Sequence, residues 1–159
     1  DGLGISMVRA TRQGGTVEKK VTHILDRKGR DVWMVSPQSS VLDALRLMAD
    51  KDIGALVVAD ADELLGIVSE RDYARKVALA GRTSKDARVA EIMTPEVITV
   101  SPQEPVERCM ELMYANKIRH LPVVADGRLV GIVSIGDVVG AVIDKQESMI
   151  EQLERYITG

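Results

Sequence analysis

Gly66-Ile67-Val68-Ser69-Glu70-Arg71-Asp72 and Gly131-Ile132-Val133-Ser134-Ile135-Gly136-Asp137 are one motif written twice, 65 positions apart. Outward from it the same offset holds without a gap. Val35-Ser36-Pro37-Gln38 falls on Val100-Ser101-Pro102-Gln103, Val41 on Val106, Leu47-Met48 on Leu112-Met113, Ile53 on Ile118, Val58 on Val123 and Leu64 on Leu129. One offset sustained over that length marks a duplication, in which each repeat is a supersecondary unit that cannot bury its apolar face alone.

Each copy reads as β-α-β-β-α. Residues 32–35 and 97–100 are short extended runs ending at Ser-Pro, where proline keeps the preceding residue out of the helical region. A helix follows in the first copy, capped by Ser39 or Ser40, with Val41, Leu45 and Met48 at helical spacing. In the second copy Pro105 suits a first helical position, followed by Val106, Met110 and Met113. Residues 55–59 and 121–124 are buried strands, 60–63 and 125–128 turns, and 64–68 and 129–133 their hairpin partners. The predicted fold class is α/β (α+β): two repeats packed sheet to sheet about a pseudo-two-fold axis, because neither small sheet can cover both its faces.

The boundaries that follow are 16–79 for the first copy, 80–88 for a polar linker without apolar periodicity, and 89–145 for the second copy. Residues 146–159 extend the last helix, and residues 1–15 are a tail set aside as foreign to the fold. From about Ile135 to Tyr156 the last helix carries Val139, Val142, Ile143, Met149, Ile150, Leu153 and Ile157 on roughly one side. A stripe that outlasts its domain points to docking on the N-terminal segment or on a second chain.

Composition narrows the function. A formal charge of −3 argues against a nucleic-acid footprint, which needs a basic surface. No apolar run approaches the roughly 20 residues of a membrane span, and no signal-peptide pattern opens the sequence. The single cysteine, Cys109, excludes an internal disulfide and agrees with a reducing cytoplasm. It falls within a helical apolar pattern, so it reads as a core residue rather than a nucleophile. Two histidines and one cysteine cannot assemble a Cys/His metal site. No nucleophile, acid/base pair or metal set forms a recognisable constellation, so the chain reads as a non-enzyme with no catalytic residues and no catalytic cofactor.

The twice-repeated Gly-Ile-Val-Ser-x-x-Asp, the Ile92-Met93-Thr94 lead-in and Ile118-Arg119-His120-Leu121-Pro122-Val123-Val124 together resemble the cystathionine-β-synthase (CBS) domain family, here as one tandem pair or Bateman module. The resemblance runs from about Val21 to Ile143. It implies a stand-alone, bacterial-type signal-transduction protein forming a homodimer, with clefts that bind AMP, ADP, ATP, NAD or S-adenosylmethionine, and an unknown regulated protein partner. Neither nucleic acid nor membrane is an expected partner.

Within that frame Asp72 and Asp137, each three residues after Ser69 and Ser134, are candidates to grip the two hydroxyls of a ribose while the helix start attracts phosphate. The plainer alternative is that Ser-x-x-Asp simply caps its helix. The resemblance places an adenine slot at Val32, Trp33, Ile53, Gly54 and Ala55 in the first copy, with Trp33 either stacking on the base or filling core. In the second copy the slot comprises Val97, Ile98, Ile118 and Pro122 beside Arg119, with Thr94 near its mouth. Arg119 and His120 are assigned to phosphate, with Arg71 in support; the plainer alternatives are a core histidine at His120, its charge left open, and a solvated helix residue paired with an acid at Arg71. The first copy has three extra residues before its strand, crowded by Arg27, Lys28 and Arg30, which are placed to reach the phosphates of ATP or NAD in the first site. The alternative function is a structural dimerisation module with vestigial clefts.

Overall fold

The computed structural model describes residues 18–158. The tail at 1–15 and Gly159 lie outside the described residues. The architecture is mixed α+β with two small sheets. In chain order the elements are α1 (Val21–Lys28), β1 (Met34–Val35), α2 (Val41–Lys51), β2 (Ala55–Asp60), β3 (Glu63–Ser69), α3 (Glu70–Tyr73), α4 (Val89–Ile92), α5 (Val106–Asn116), β4 (His120–Ala125), β5 (Arg128–Ser134) and α6 (Ile135–Thr158). A π-helical turn, Ala74–Ala78, continues α3.

Two compact units result, and they do not follow the order of the copies. Among the described residues, one combines 18–30 with 100–126 and 131–158; the other holds 31–99 and 127–130. The lead-in helices are therefore exchanged. α1 joins the second copy, where Val21 N donates to Glu104 O at 2.9 Å and Val106 N donates to Lys19 O at 3.0 Å. α4 joins the first copy through the equivalent atoms: Val89 N donates to Ser39 O and Val41 N to Ala87 O, both at 2.9 Å. Backbone groups at the start of α2 and α5 have no partner within their own helix, and the foreign lead-in supplies one.

In the unit of the first copy, β1 runs parallel to β2, with Val35 opposite Val58, and β2 runs antiparallel to β3, with Leu56 opposite Val68. β2 is buried on both faces, as Leu56, Val57 and Val58 are each fully enclosed. Its core adds Val41, Ala44 and Met48 of α2 to Val77, Ala87, Val89 and Ile92. Ser40 caps α2 by accepting from Asp43 N at 3.1 Å. The polar stretch 80–88 is anchored rather than loose: Ala87 is fully buried, and Ser84 O accepts from Leu42 N at 2.8 Å.

In the unit of the second copy, β4 and β5 form a two-stranded sheet. Val100 replaces a full first strand with a parallel bridge to Val123, the pair equivalent to Val35 and Val58. Asp126 and Gly127 both take positive φ, 52° and 74°, as a tight two-residue hairpin turn requires. Pro105 occupies the cap position of α5, one residue earlier than its expected place inside the helix. Val21, Ile24 and Leu25 of α1 are buried in this unit. A Cβ at Gly131 would stand 2.7 Å from Leu25 Cδ2, which shows how closely α1 seats on β5.

Candidate functional site

Both Ser-x-x-Asp turns fold as reciprocal caps. In the first copy Asp72 N donates to Ser69 Oγ at 3.1 Å, and Asp72 Oδ2 accepts from Ser69 N at 2.9 Å. In the second, Asp137 N donates to Ser134 Oγ at 3.2 Å and Asp137 Oδ2 accepts from Ser134 N at 2.8 Å. The capping alternative is thus what each turn does locally, satisfying orphan donors of the helix start. Each carboxylate also carries an ion pair. Lys76 Nζ lies 3.2 Å from Asp72 Oδ1 and donates to Ile92 O at 2.9 Å. Lys28 Nζ lies 2.7 Å from Asp137 Oδ2 and donates to Ile132 O at 3.0 Å.

The source of Lys28 corrects an expectation. The three extra residues before the first strand lengthen α1 to eight residues against four in α4. That extra turn carries Arg27 and Lys28 to the second copy's Asp144 and Asp137, not to the first site. Arg30 pairs locally with Asp26 at 2.6 Å.

A cavity of about 410 Å³ opens there, lined by Lys19, His23, Ile24, Arg27 and Lys28 from the α1 side and by Gly136, Asp137, Gly140, Ala141 and Asp144 of α6. The lining of α6 explains the space. At the offset of 65, Gly136, Gly140 and Ala141 replace Arg71, Arg75 and Lys76, so three long cationic side chains are absent from this helix face. α1 returns positive charge from the opposite wall. Arg27 and Lys28 each meet an acid on α6, and Lys19 is a third cation at the rim. An anion and a diol are the groups such a lining recognises.

Electrostatics refine the roles. Burial raises the pKa of Asp137, but the Lys28 ammonium and the Ser134 amide outweigh it and hold the carboxyl below its usual range. His120 is shifted down, first by burial and then by Lys28 and Arg119, against an opposing pull from Asp137. The shift favours the neutral imidazole, in which one ring nitrogen donates a hydrogen bond and the other accepts. Cys109 is buried and its thiol is pushed up to about 11 by desolvation and Glu104, so it is an inert core group. Among the described residues no group of three or more His, Cys, Asp or Glu is placed to hold a metal.

The remaining slot residues divide between the units. Val32, Trp33, Ile53, Gly54 and Ala55 lie with Ser69, Arg71 and Asp72: Ala55 is in register with Ser69, and Gly54 O accepts from Glu70 N at 3.0 Å. Trp33 is 41% exposed with Lys51 Nζ 4.3 Å over its ring, which excludes core filling. Thr94, assigned to the second site, instead exchanges backbone bonds with Ile67 of the first copy at 2.8 and 3.0 Å. Val97 and Ile98 lie in that same unit, whereas Ile118, Arg119 and Pro122 lie with Asp137. Arg119 is exposed, and its carbonyl accepts from Ile135 N at 2.8 Å; Pro122 is buried, and its carbonyl takes Val100 N. Arg71 is half-buried on the first turn of α3. Sequence reading missed Lys76, Lys19 and Asp144. The i,i+4 spacing of Asp72 and Lys76 was the only signal available for any of them.

Comparison with known proteins identifies the family. The chain is 40% identical over 156 residues to the mitochondrial CBS domain-containing protein CBSX3 of Arabidopsis thaliana, spanning 92% of this chain and 76% of that protein. A CBS-domain protein of Burkholderia ambifaria superposes with a TM-score of 0.78 at 50% identity, covering 80% of this chain and 96% of that one. The CBS domain pair of protein MJ0100, solved with 5′-methylthioadenosine and S-adenosyl-L-methionine, gives 0.70 at 30% identity over 80% and 98% of the two chains. The CBS domain model matches residues 22–79 and again 89–144, the two halves of the duplication, so the chain belongs to the CBS-domain family as a tandem pair.

Proposed function

We propose that this regulatory pair binds an adenine nucleotide (AMP, ADP or ATP, with NAD or S-adenosylmethionine as further candidates) and leaves it chemically unchanged. Binding then shifts the populations of its conformations or of a homodimer, and a partner protein reads the shift. The observation that carries this reading is the cavity at Asp137, where small residues of α6 leave room and cations from α1 face an ionised carboxylate. A carboxylate fixed by a backbone amide suits a ribose diol, and clustered lysine and arginine suit phosphate. The bound methylthioadenosine and S-adenosylmethionine of the MJ0100 pair lend the adenosine part support.

Calorimetric titration with the five ligands tests it. At least one binds with a dissociation constant on the order of 1–100 μM, and saturation raises the melting temperature by about 5–10 °C at a hundredfold excess over that constant. Asp137→Ala abolishes both signals. Absence of heat with all five ligands overturns the reading.

A specific observation favours a second reading, a dimerisation scaffold with vestigial clefts. Both aspartates are already satisfied by caps and lysines. Val139, Ile143, Ile150, Leu153 and Ile157 of α6 are exposed at coiled-coil spacing. It expects a dimer in sedimentation whose stability no nucleotide alters.

A further inference from the structure

Lys28 and a ribose diol compete for one oxygen. Lys28 Nζ sits 2.7 Å from Asp137 Oδ2, the atom that also accepts the Ser134 amide, and its other bond goes to Ile132 O. A diol that grips both oxygens, one hydroxyl on each, needs the acceptor site on Oδ2 that the ammonium fills, and so displaces it. Lys28 is able to leave: it is the last residue of α1, its side chain is 36% exposed, and Gly29 with φ of 100° ends the helix directly after it. Displacement alone would strand a cation beside Arg27 and Lys19, which is unfavourable near a partly buried wall. It becomes favourable when the ligand brings an anion for Lys28 to follow.

We infer that Lys28 is a specificity latch, which closes Asp137 to uncharged ribosides and releases it to ribonucleotides by passing from carboxylate to phosphate. The inference rests on the nucleotide reading of the same cavity and names its ligand class: a riboside bearing a phosphate near the sugar. Neutral adenosine and methylthioadenosine are selected against because neither offers Lys28 a new partner. In the first copy Lys76 pairs with the other oxygen, Asp72 Oδ1, at 3.2 Å, and it does not line the cavity at Asp137, so it serves as the control.

The test is calorimetry of the full chain with AMP and with adenosine, using the wild type, Lys28→Met, Lys28→Arg and Lys76→Met. Wild type binds AMP at least about tenfold more tightly than adenosine, the scale of one charge-assisted bond. Lys28→Met weakens AMP and tightens adenosine, so the ratio falls to about threefold or less, while Lys28→Arg and Lys76→Met keep the wild-type ratio. Far-ultraviolet circular dichroism and melting curves confirm that each variant is folded. A Lys28→Met ratio equal to wild type overturns the latch, as does AMP binding that survives Asp137→Ala. If wild type binds neither ligand, the nucleotide reading itself fails and the latch falls with it.

Discussion

Asp72 and Asp137 occupy the same position in two copies of one turn, and each receives the same bond from the amide of its own serine. The ammonium that joins them differs in origin. At Asp72 it comes from Lys76, four residues along the chain; at Asp137 it comes from Lys28, 109 residues away. The first pair forms wherever that helix forms, whereas the second exists only while α1 is docked. A duplicated motif can thus keep its local chemistry while one copy surrenders control of its carboxylate to a distant segment. The difference goes with Gly136, Gly140 and Ala141 standing where the first copy has Arg71, Arg75 and Lys76, which leaves α6 without that charge and bulk.

That contrast can be broken most severely at the seat of α1. Leu25 is 1% exposed, so Leu25→Ala lowers unfolding free energy by about 3–4 kcal/mol. The half-buried equivalent, Met93→Ala, costs about half as much, as read by urea denaturation.

The two hairpin glycines sharpen the same difference. A Cβ at Gly66 meets the backbone carbonyl of Thr94 at 2.7 Å, whereas one at Gly131 meets only side-chain atoms of Leu25, which can shift where a carbonyl cannot. Gly66→Ala therefore destabilises by about 2–3 kcal/mol and Gly131→Ala by about 1 kcal/mol. Equal melting temperatures for the two would refute this.

The carboxylate itself gives a pH signature. Because the folded pKa of Asp137 lies below its unfolded value, its contribution is fully present at neutral pH. It is lost as pH falls below about 3.9, the unperturbed aspartate range, toward the folded value. Asp137→Asn costs about 1 kcal/mol at pH 7 through the weakened cap, and its stability declines less steeply than wild type under acid titration. Smallest is the effect of the lysines on stability. Lys28→Ala and Lys76→Ala each change it by no more than about 1 kcal/mol, since both pairs reach solvent.

The repeated units were legible in the sequence because their signals are local. Proline after Ser36 and Ser101, helical spacing from Val41 and Val106, and the turn at Asp126-Gly127 each report on neighbours a few residues away. The caps at Ser69 and Ser134 were legible for the same reason. The exchange of lead-in helices was not, since the backbone partners of Lys19 and Val21 lie at Val106 and Glu104 and nothing in either segment names the other. That one unseen exchange accounts for the misplacement of Arg27 and Lys28. The insertion was visible, but its destination was a property of tertiary structure. The burial that lowers the pKa of His120 was equally invisible, because a histidine in a strand looks the same whether its surroundings are wet or dry.

The traded helices have a consequence for how such a chain can be divided. A gene cut between the copies would yield two fragments, each holding the piece that completes the other and lacking its own. Neither half is an ancestral protein waiting to be released; a lone copy would have to borrow its missing turn from a sister molecule.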